Sequence, residues 1–245
     1  MDVTKLEFDA DVMLSGLQRW VVCESPSYDP TAVNRMQEIA AHDLAVMGAN
    51  VERITPHLLA GDCVRARFPH PESGAPGILI LGHMDTVHPI GTLDKLPIRR
   101  DGNLCYGPGI ADMKGGNYLA LEAIRQLGAI GAQTPLPITV LFTSDEEIGS
   151  PYTRDLIESE ARRAVAVLVP EPARRGNGVT SGRYAIARYN VRTFGRPSHA
   201  GLRLSEGRSA IRKMAETIIA IEALSQDDCT FSVGVTQAGR WVNCV

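Results

Sequence analysis

An α/β fold follows from three features of the 245-residue sequence. Short apolar runs suited to buried strands recur along the chain, stretches of helical period lie among them, and glycine or proline punctuates them. Strands alternating with helices build a sheet covered by helices.

The elements follow in order. Between residues 31 and 47 apolar side chains fall at Val33, Met36, Ile39 or Ala40, Leu44 and Met47, close to the 3.6 period of a helix, and Gly48 closes it as the C′ residue. Residues 77–81, Gly-Ile-Leu-Ile-Leu between Pro76 and Gly82, form a continuous apolar run, which suits a strand covered on both faces in a parallel sheet. Residues 138–142 and 164–169 read the same way. A helix over about 116–127 carries Ala120, Ile124 and Leu127 on one face. After Gly182 the pattern changes. Ala185, Ala187, Tyr189, Val191 and Thr193 alternate with Arg188, Asn190 and Arg192, the period of a half-exposed strand. A helix with Ile211, Met214, Ala215 and Ile218 on one face follows, and then an alternating strand with Phe231, Val233 and Val235. The change predicts two domains, 1–181 and 182–245.

Composition narrows the function. Net charge is −3, with 44% hydrophobic and 22% charged residues, which excludes a disordered chain and a nucleic-acid binder working through a basic face. No apolar run approaches the ~20 residues that a bilayer demands, so no membrane span is expected. Residues 1–11 are acidic and mixed, unlike a secretory signal, and the expected location is the cytoplasm. The cysteines at 23, 63, 105, 229 and 244 are odd in number and form no C-x-x-C pair, so they read as free thiols packed as small hydrophobes.

The chemistry lies where the three apolar strands end. The first runs into His83-Met84-Asp85, the second into Asp145-Glu146-Glu147, the third into Glu171-Pro172. Ligands bind outside the carboxyl ends of strands in open α/β sheets, so neighbouring strands would bring these groups together. Asp112, in the glycine-rich loop of residues 107–116, adds a fourth segment. Each motif alone is commonplace: an acidic triplet is usually a solvated turn, and the loop lacks the third glycine of G-x-G-x-x-G and any G-K-[ST]. No G-x-S-x-G elbow is present. Together they point to metal. Two carboxylates ~4 Å apart repel by about 4 kcal/mol at an effective dielectric of 20, and divalent cations remove that cost. Asp112, Glu147 and Glu171, with neutral His83, would balance two divalent metal ions and one bridging hydroxide; zinc suits this donor set, with cobalt or manganese as alternatives.

The motifs Gly82-His83-Met84-Asp85-Thr86-Val87, Tyr106 through Asp112-Met113-Lys114-Gly115-Gly116, Asp145 through Ser150, Glu171-Pro172 and Gly195 through His199-Ala200-Gly201 resemble, in order and spacing, the di-zinc exopeptidases and deacylases. That family includes glutamate carboxypeptidase, acetylornithine deacetylase, succinyl-diaminopimelate desuccinylase and aminoacylase. The likeness is greatest to the bacterial glutamate carboxypeptidases, through Gly-Pro-Gly-Ile-Ala-Asp112 and the stretch from Arg154. The resemblance implies a mixed sheet with helices on both faces, plus an inserted α+β, ferredoxin-like dimerisation domain. It implies that His83 and Glu171 hold one zinc, Glu147 the other, and Asp112 bridges them. Asp85 would accept the free ring N–H of His83, Glu146 would be the general base, and the Asp112–Met113 peptide would be cis. His199 would be an oxyanion donor offered to the partner's site in a homodimer, and Asn243 would approach substrate. The implied activity is metal-dependent hydrolysis of an amide bond in N-acyl amino acids or at the C-terminal residue of small peptides or conjugates, by metal-bound hydroxide. The alternative is a non-catalytic ligand-binding or dimerisation protein on the same scaffold, although a binding module has no need of Glu146.

In the family a late histidine completes the second zinc site after the inserted domain. This chain stops at Val245, inside that domain, so the expectation is a fragment that binds metal poorly and turns over little by itself. Substrate identity is not legible: Arg183, Arg188, Arg192, Arg196 and Arg203 fit a carboxylate clamp and a solvated strand face equally well.

Overall fold

The structure, a computed structural model, describes residues 6–174, 176 and 178–245. It comprises two compact units, one running to Ser181 and one from Gly182 onward. The first holds α1 (Ala10–Val21), α2 (Pro30–Val46), β1 (Asn50–Ile54), β2 (Cys63–Arg67), β3 (Gly77–His83), β4 (Arg99–Asp101), β5 (Leu104–Tyr106), α3 (Gly115–Ala129), β6 (Ile138–Thr143), α4 (Arg154–Ala161) and β7 (Ala164–Leu168). Five strands form a mixed sheet in the order β1-β2-β6-β3-β7, with β3 parallel to both β6 and β7 and the first two strands antiparallel at one side. β4 and β5 make a separate two-stranded ribbon.

Capping fixes where the first helices begin. Asp9 accepts the amides of Asp11 and Val12 at the head of α1. Asp29 accepts the Ala32 amide at the head of α2, where Pro30 occupies the first turn. Gly48, at φ +86°, ends that helix in the left-handed conformation expected of it, and the Ala49 amide returns to the Leu44 carbonyl.

The pleat sorts the core. Val64, Ala66, Ile80, Val140 and Phe142 face Trp20, Met36, Ala40, Leu44 and Leu121 from α1, α2 and α3. Cys63, Leu79 and Leu141 face the other way, toward Leu156, Ile157 and Ala161 of α4. Helices therefore cover both faces of the sheet.

Three differences from the sequence expectations have physical causes. β1 and β2 escape an apolar-run criterion because they carry paired charges: Glu52 lies opposite Arg65, and the Arg65 Nε donates to the Glu52 carboxylate at 3.1 Å. β7 is not a doubly covered strand. It is one of the two edge strands of the sheet, and Val165 and Leu168 are 65% and 54% exposed. In the second unit α5 (Ala210–Glu222) forms as expected, with Ser209 accepting the Arg212 amide as its N-cap. The two flanking stretches, however, form no ladder; among the described residues this unit has only isolated bridges, such as Arg196 with Arg208. Alternation marks a face, and without a neighbouring strand to take its hydrogen bonds it does not make a sheet.

Among the described residues no helix is long and apolar enough to cross a membrane. All five cysteines are free. Burial pushes the Cys63 thiol up to about 12, opposed by a contact with the Ser144 hydroxyl and reinforced by the charge of Asp145. At pH 8 its thiolate fraction is then on the order of 10⁻⁴. In an Ellman titration of the native protein at that pH, the exposed Cys229 and Cys244 should react first and Cys63 only on unfolding.

Candidate metal centre

Parallel register sets the rim. His83 pairs with Thr143, so β3 and β6 end level. Leu168 pairs with Ile80, and three further residues along each strand lead to Glu171 and His83. Buried amides finish the strand ends: Gln37 Nε2 donates to the carbonyls of Phe142 (3.2 Å) and Thr143 (2.9 Å), and Asn117 Nδ2 to that of His83 (2.8 Å).

Asp112 arrives from a turn over Ile110–Lys114, entered through Gly109 at φ +69° and broken at Asp112 and Met113, whose joining peptide is cis. Lys114 anchors this turn from below. Its buried ammonium donates to the carbonyls of Trp20 (3.1 Å) and Cys23 (2.7 Å), at the C-terminal end of α1 where backbone acceptors lack helical partners.

Gly116 lets α3 meet the segment that carries Glu171. A Cβ there would sit 1.7 Å from the Pro170 carbonyl oxygen, whereas one at Gly128, in the same helix, would meet nothing within 4 Å. Gly116→Ala should therefore cost about 1–3 kcal/mol, and Gly128→Ala should gain up to about 1 kcal/mol, in urea unfolding. Equal effects at the two positions would contradict the contact.

The side chains converge on His83. Its Nε2 lies 3.1 Å from Asp112, 3.6 Å from Glu171 and 3.8 Å from Glu146. Donor atoms of His83, Asp112 and Glu147 all lie within 4.8 Å of one another. On the other side of the ring, Nδ1 is 3.0 Å from the Asp85 backbone carbonyl and 3.4 Å from its carboxylate. That carboxylate also accepts the amides of Glu146 and Glu147, each at 3.2 Å. Asp145 turns away from this cluster. Buried, it accepts the amides of Tyr152 and Thr153 and the Thr153 hydroxyl, closing the loop that follows the two glutamates.

The electrostatics of the rim call for positive charge. Burial works against a proton on His83, but hydrogen bonds with Asp85 and Glu171 and the charges of Asp85 and Glu146 outweigh it and push the ring up to about 11. Burial, then Asp112, Asp85 and neighbouring Glu146, push Glu147 up to about 7 against the opposing charge of His83. Glu146 is raised by burial and by Glu171, Asp85 and Asp112, with His83 again opposing. A cation among these donors would replace the proton-borne charge.

His199 and Asn243 belong to the second unit. His199 is exposed and bridges with Cys244, and the Ala200 amide donates to the Asn243 carbonyl at 3.0 Å, so the two segments are neighbours. Of the remaining histidines, His57 stacks on Tyr152 at 4.4 Å and His70 contacts the Thr134 carbonyl. Sequence reading missed Ser25 and Ser27, which contact the His83–Asp85 segment from the end of α1. A Ser-Pro-Ser stretch 58 residues away carries no periodic or motif signal.

Fold and rim together define an α/β scaffold with a carboxylate-rich centre at the ends of its parallel strands. Residues 79–241 match peptidase family M20/M25/M40, and the chain belongs to that family. It is 33% identical over 239 residues to Carboxypeptidase G2 from Pseudomonas sp. (strain RS-16), covering 95% of this chain and 57% of that relative. A 103-residue stretch, 40% of this chain and 26% of the relative, is 36% identical to acetylornithine deacetylase from Salmonella arizonae. A tripeptidase from Staphylococcus aureus superposes with a TM-score of 0.69 at 19% identity, over 97% of this chain and 63% of its own, which shows the shared fold. This chain thus spans little more than half of Carboxypeptidase G2.

Proposed function

We propose that this chain provides the metal-binding part of an amide-cleaving hydrolase of carboxypeptidase or deacylase type, acting on small peptides, N-acyl amino acids or related conjugates. The observation that carries the reading is the meeting of His83, Asp112 and Glu147 within 4.8 Å, with Glu146 and Glu171 beside them. One imidazole and several carboxylates form a donor set suited to divalent ions, zinc foremost. In this reading His83 and Glu171 would hold one ion and Glu147 a second, with the Asp112 carboxylate available to both. Such ions, when bound, polarise a scissile carbonyl and acidify water.

The residues of the chain do the rest. Glu146 accepts the proton of the attacking water and returns it to the leaving amine; its raised affinity for protons suits a group that must do both. Asp85 orients the His83 ring and holds the turn bearing the two glutamates. The reading keeps residues 1–181 as the catalytic domain and 182–245 as an inserted dimerisation domain, whose His199 is offered to the substrate of a second copy. Five free thiols suit a reducing compartment, the cytoplasm.

The test is zinc titration of metal-free protein, with bound metal counted by plasma mass spectrometry and hydrolysis followed on a panel of dipeptides and N-acyl amino acids. Metal retention should be lost in His83→Ala and in Asp112→Ala. Retention unchanged in both variants would overturn the reading.

A further inference from the structure

Residues 25–27 run alongside residues 84–86 as a short strap. The Thr86 amide donates to the Ser25 carbonyl at 2.8 Å, the Ser27 amide donates to the Thr86 carbonyl at 3.2 Å, and the Ser25 hydroxyl donates to the Met84 carbonyl at 2.6 Å. Both serines are buried. The strap is held by its backbone and by Ser25; the Ser27 hydroxyl lies 3.5 Å from the Thr86 carbonyl, too long for that to be its main partner.

It acts on Asp85. Ser27 Oγ donates to Asp85 Oδ2 at 2.6 Å, the shortest hydrogen bond that this carboxylate receives. The same Oδ2 takes the Glu147 amide and Oδ1 takes the Glu146 amide, both at 3.2 Å, while Oδ1 lies 3.4 Å from His83 Nδ1. One buried acid therefore faces the imidazole with one oxygen and grips the glutamate turn with both. The Cβ–Cγ torsion of an aspartate is broad and roughly two-fold, so amides at 3.2 Å alone leave the carboxylate room to swing.

We propose that Ser27 is a positioning residue, whose hydroxyl fixes the rotation of the Asp85 carboxylate and through it both the His83 ring and the Glu146–Glu147 turn. The consequence for metal rests on the function proposed above; the consequence for the turn does not. Without the hydroxyl, Oδ2 keeps one long hydrogen bond, the two glutamate amides lose a fixed acceptor, and the ring keeps the Asp85 backbone carbonyl at 3.0 Å from Nδ1 but loses a fixed carboxylate charge beside it.

Two measurements on Ser27→Ala and Ser27→Thr test this. The first is hydrogen exchange in metal-free protein. Ser27→Ala should accelerate the amides of Glu146 and Glu147 by roughly tenfold while that of Val140, inside β6, stays as in the parent, and Ser27→Thr, which keeps a hydroxyl, should restore the parent rates. The second is cobalt affinity by chelator competition, which should fall roughly 10–100-fold in Ser27→Ala and recover in Ser27→Thr. Exchange at Glu146 and Glu147 within twofold of the parent overturns the proposal, as does acceleration shared equally by Val140, which would mean a general loss of stability. Should the parent chain itself fail to bind cobalt, the metal-centre reading falls, and the exchange measurement still decides the role of Ser27.

Discussion

Replacing Glu146 with glutamine should lower turnover by about 10²–10⁴-fold while leaving metal content unchanged. Glutamine has the size and polarity of glutamate but cannot take up a proton, so on the proposed mechanism the substitution removes the base and little else. Asp85 holds residue 146 through its backbone amide, which the variant retains. The neighbouring acid makes the contrast. Glu147 lies in the group whose donor atoms fall within 4.8 Å of one another, so Glu147→Gln should lose metal as well as turnover. Both variants are read by kcat on the best substrate of the panel and by bound metal. A non-catalytic ligand-binding protein would show unchanged ligand affinity in Glu146→Gln and no turnover to lose. Metal loss in Glu146→Gln equal to that in Glu147→Gln would instead place both acids in the ligand shell and remove the base from the mechanism.

The legibility of this fold depended on where each element keeps its signal. β3 and β6 announce themselves as apolar runs because helices cover them on both faces, and α2, α3 and α5 because their apolar side chains recur at helical spacing. β1 and β2 stay hidden because Glu52 and Arg65 satisfy each other across the ladder, a relation between residues 13 apart that no local pattern carries. The stretches flanking α5 err in the opposite direction: their alternation is real, but Tyr189 and Val235 stand 82% and 80% exposed and among the described residues no strand pairs with them. The rim was legible because acids and a histidine at strand ends conflict with the apolar runs before them. Its supports were not. Gln37, Asn117, Lys114 and Ser27 are ordinary polar residues whose partners are backbone carbonyls or a carboxylate far off in sequence, and only the folded chain joins them.

Trp20→Ala should destabilise the first unit by about 3–5 kcal/mol and disturb the Asp112 turn at the same time. Trp20 is completely buried, its ring edge-on to both Tyr118 (5.3 Å) and Phe142 (6.1 Å), and its indole N–H donates to Asp43 at 2.8 Å. Removing the ring opens a cavity where α1, α3 and the sheet meet. It also takes one donor from Asp43, which keeps Arg19 as its partner. Trp20→Phe, which keeps a ring and loses only the indole N–H and part of the volume, should cost distinctly less. Because the Trp20 carbonyl is one of two acceptors for the Lys114 ammonium, a shift of the end of α1 must reach the turn that carries Asp112. The only other tryptophan, Trp241, is 76% exposed, so the fluorescence change on unfolding of the parent reports chiefly on Trp20. Unfolding of the variants is therefore followed by circular dichroism in urea, with hydrogen exchange at Met113 and Lys114 as the second reading. A large loss of stability with exchange at those two residues unchanged would show that the helix end holds its place without the ring, and that core packing and the rim are energetically separate.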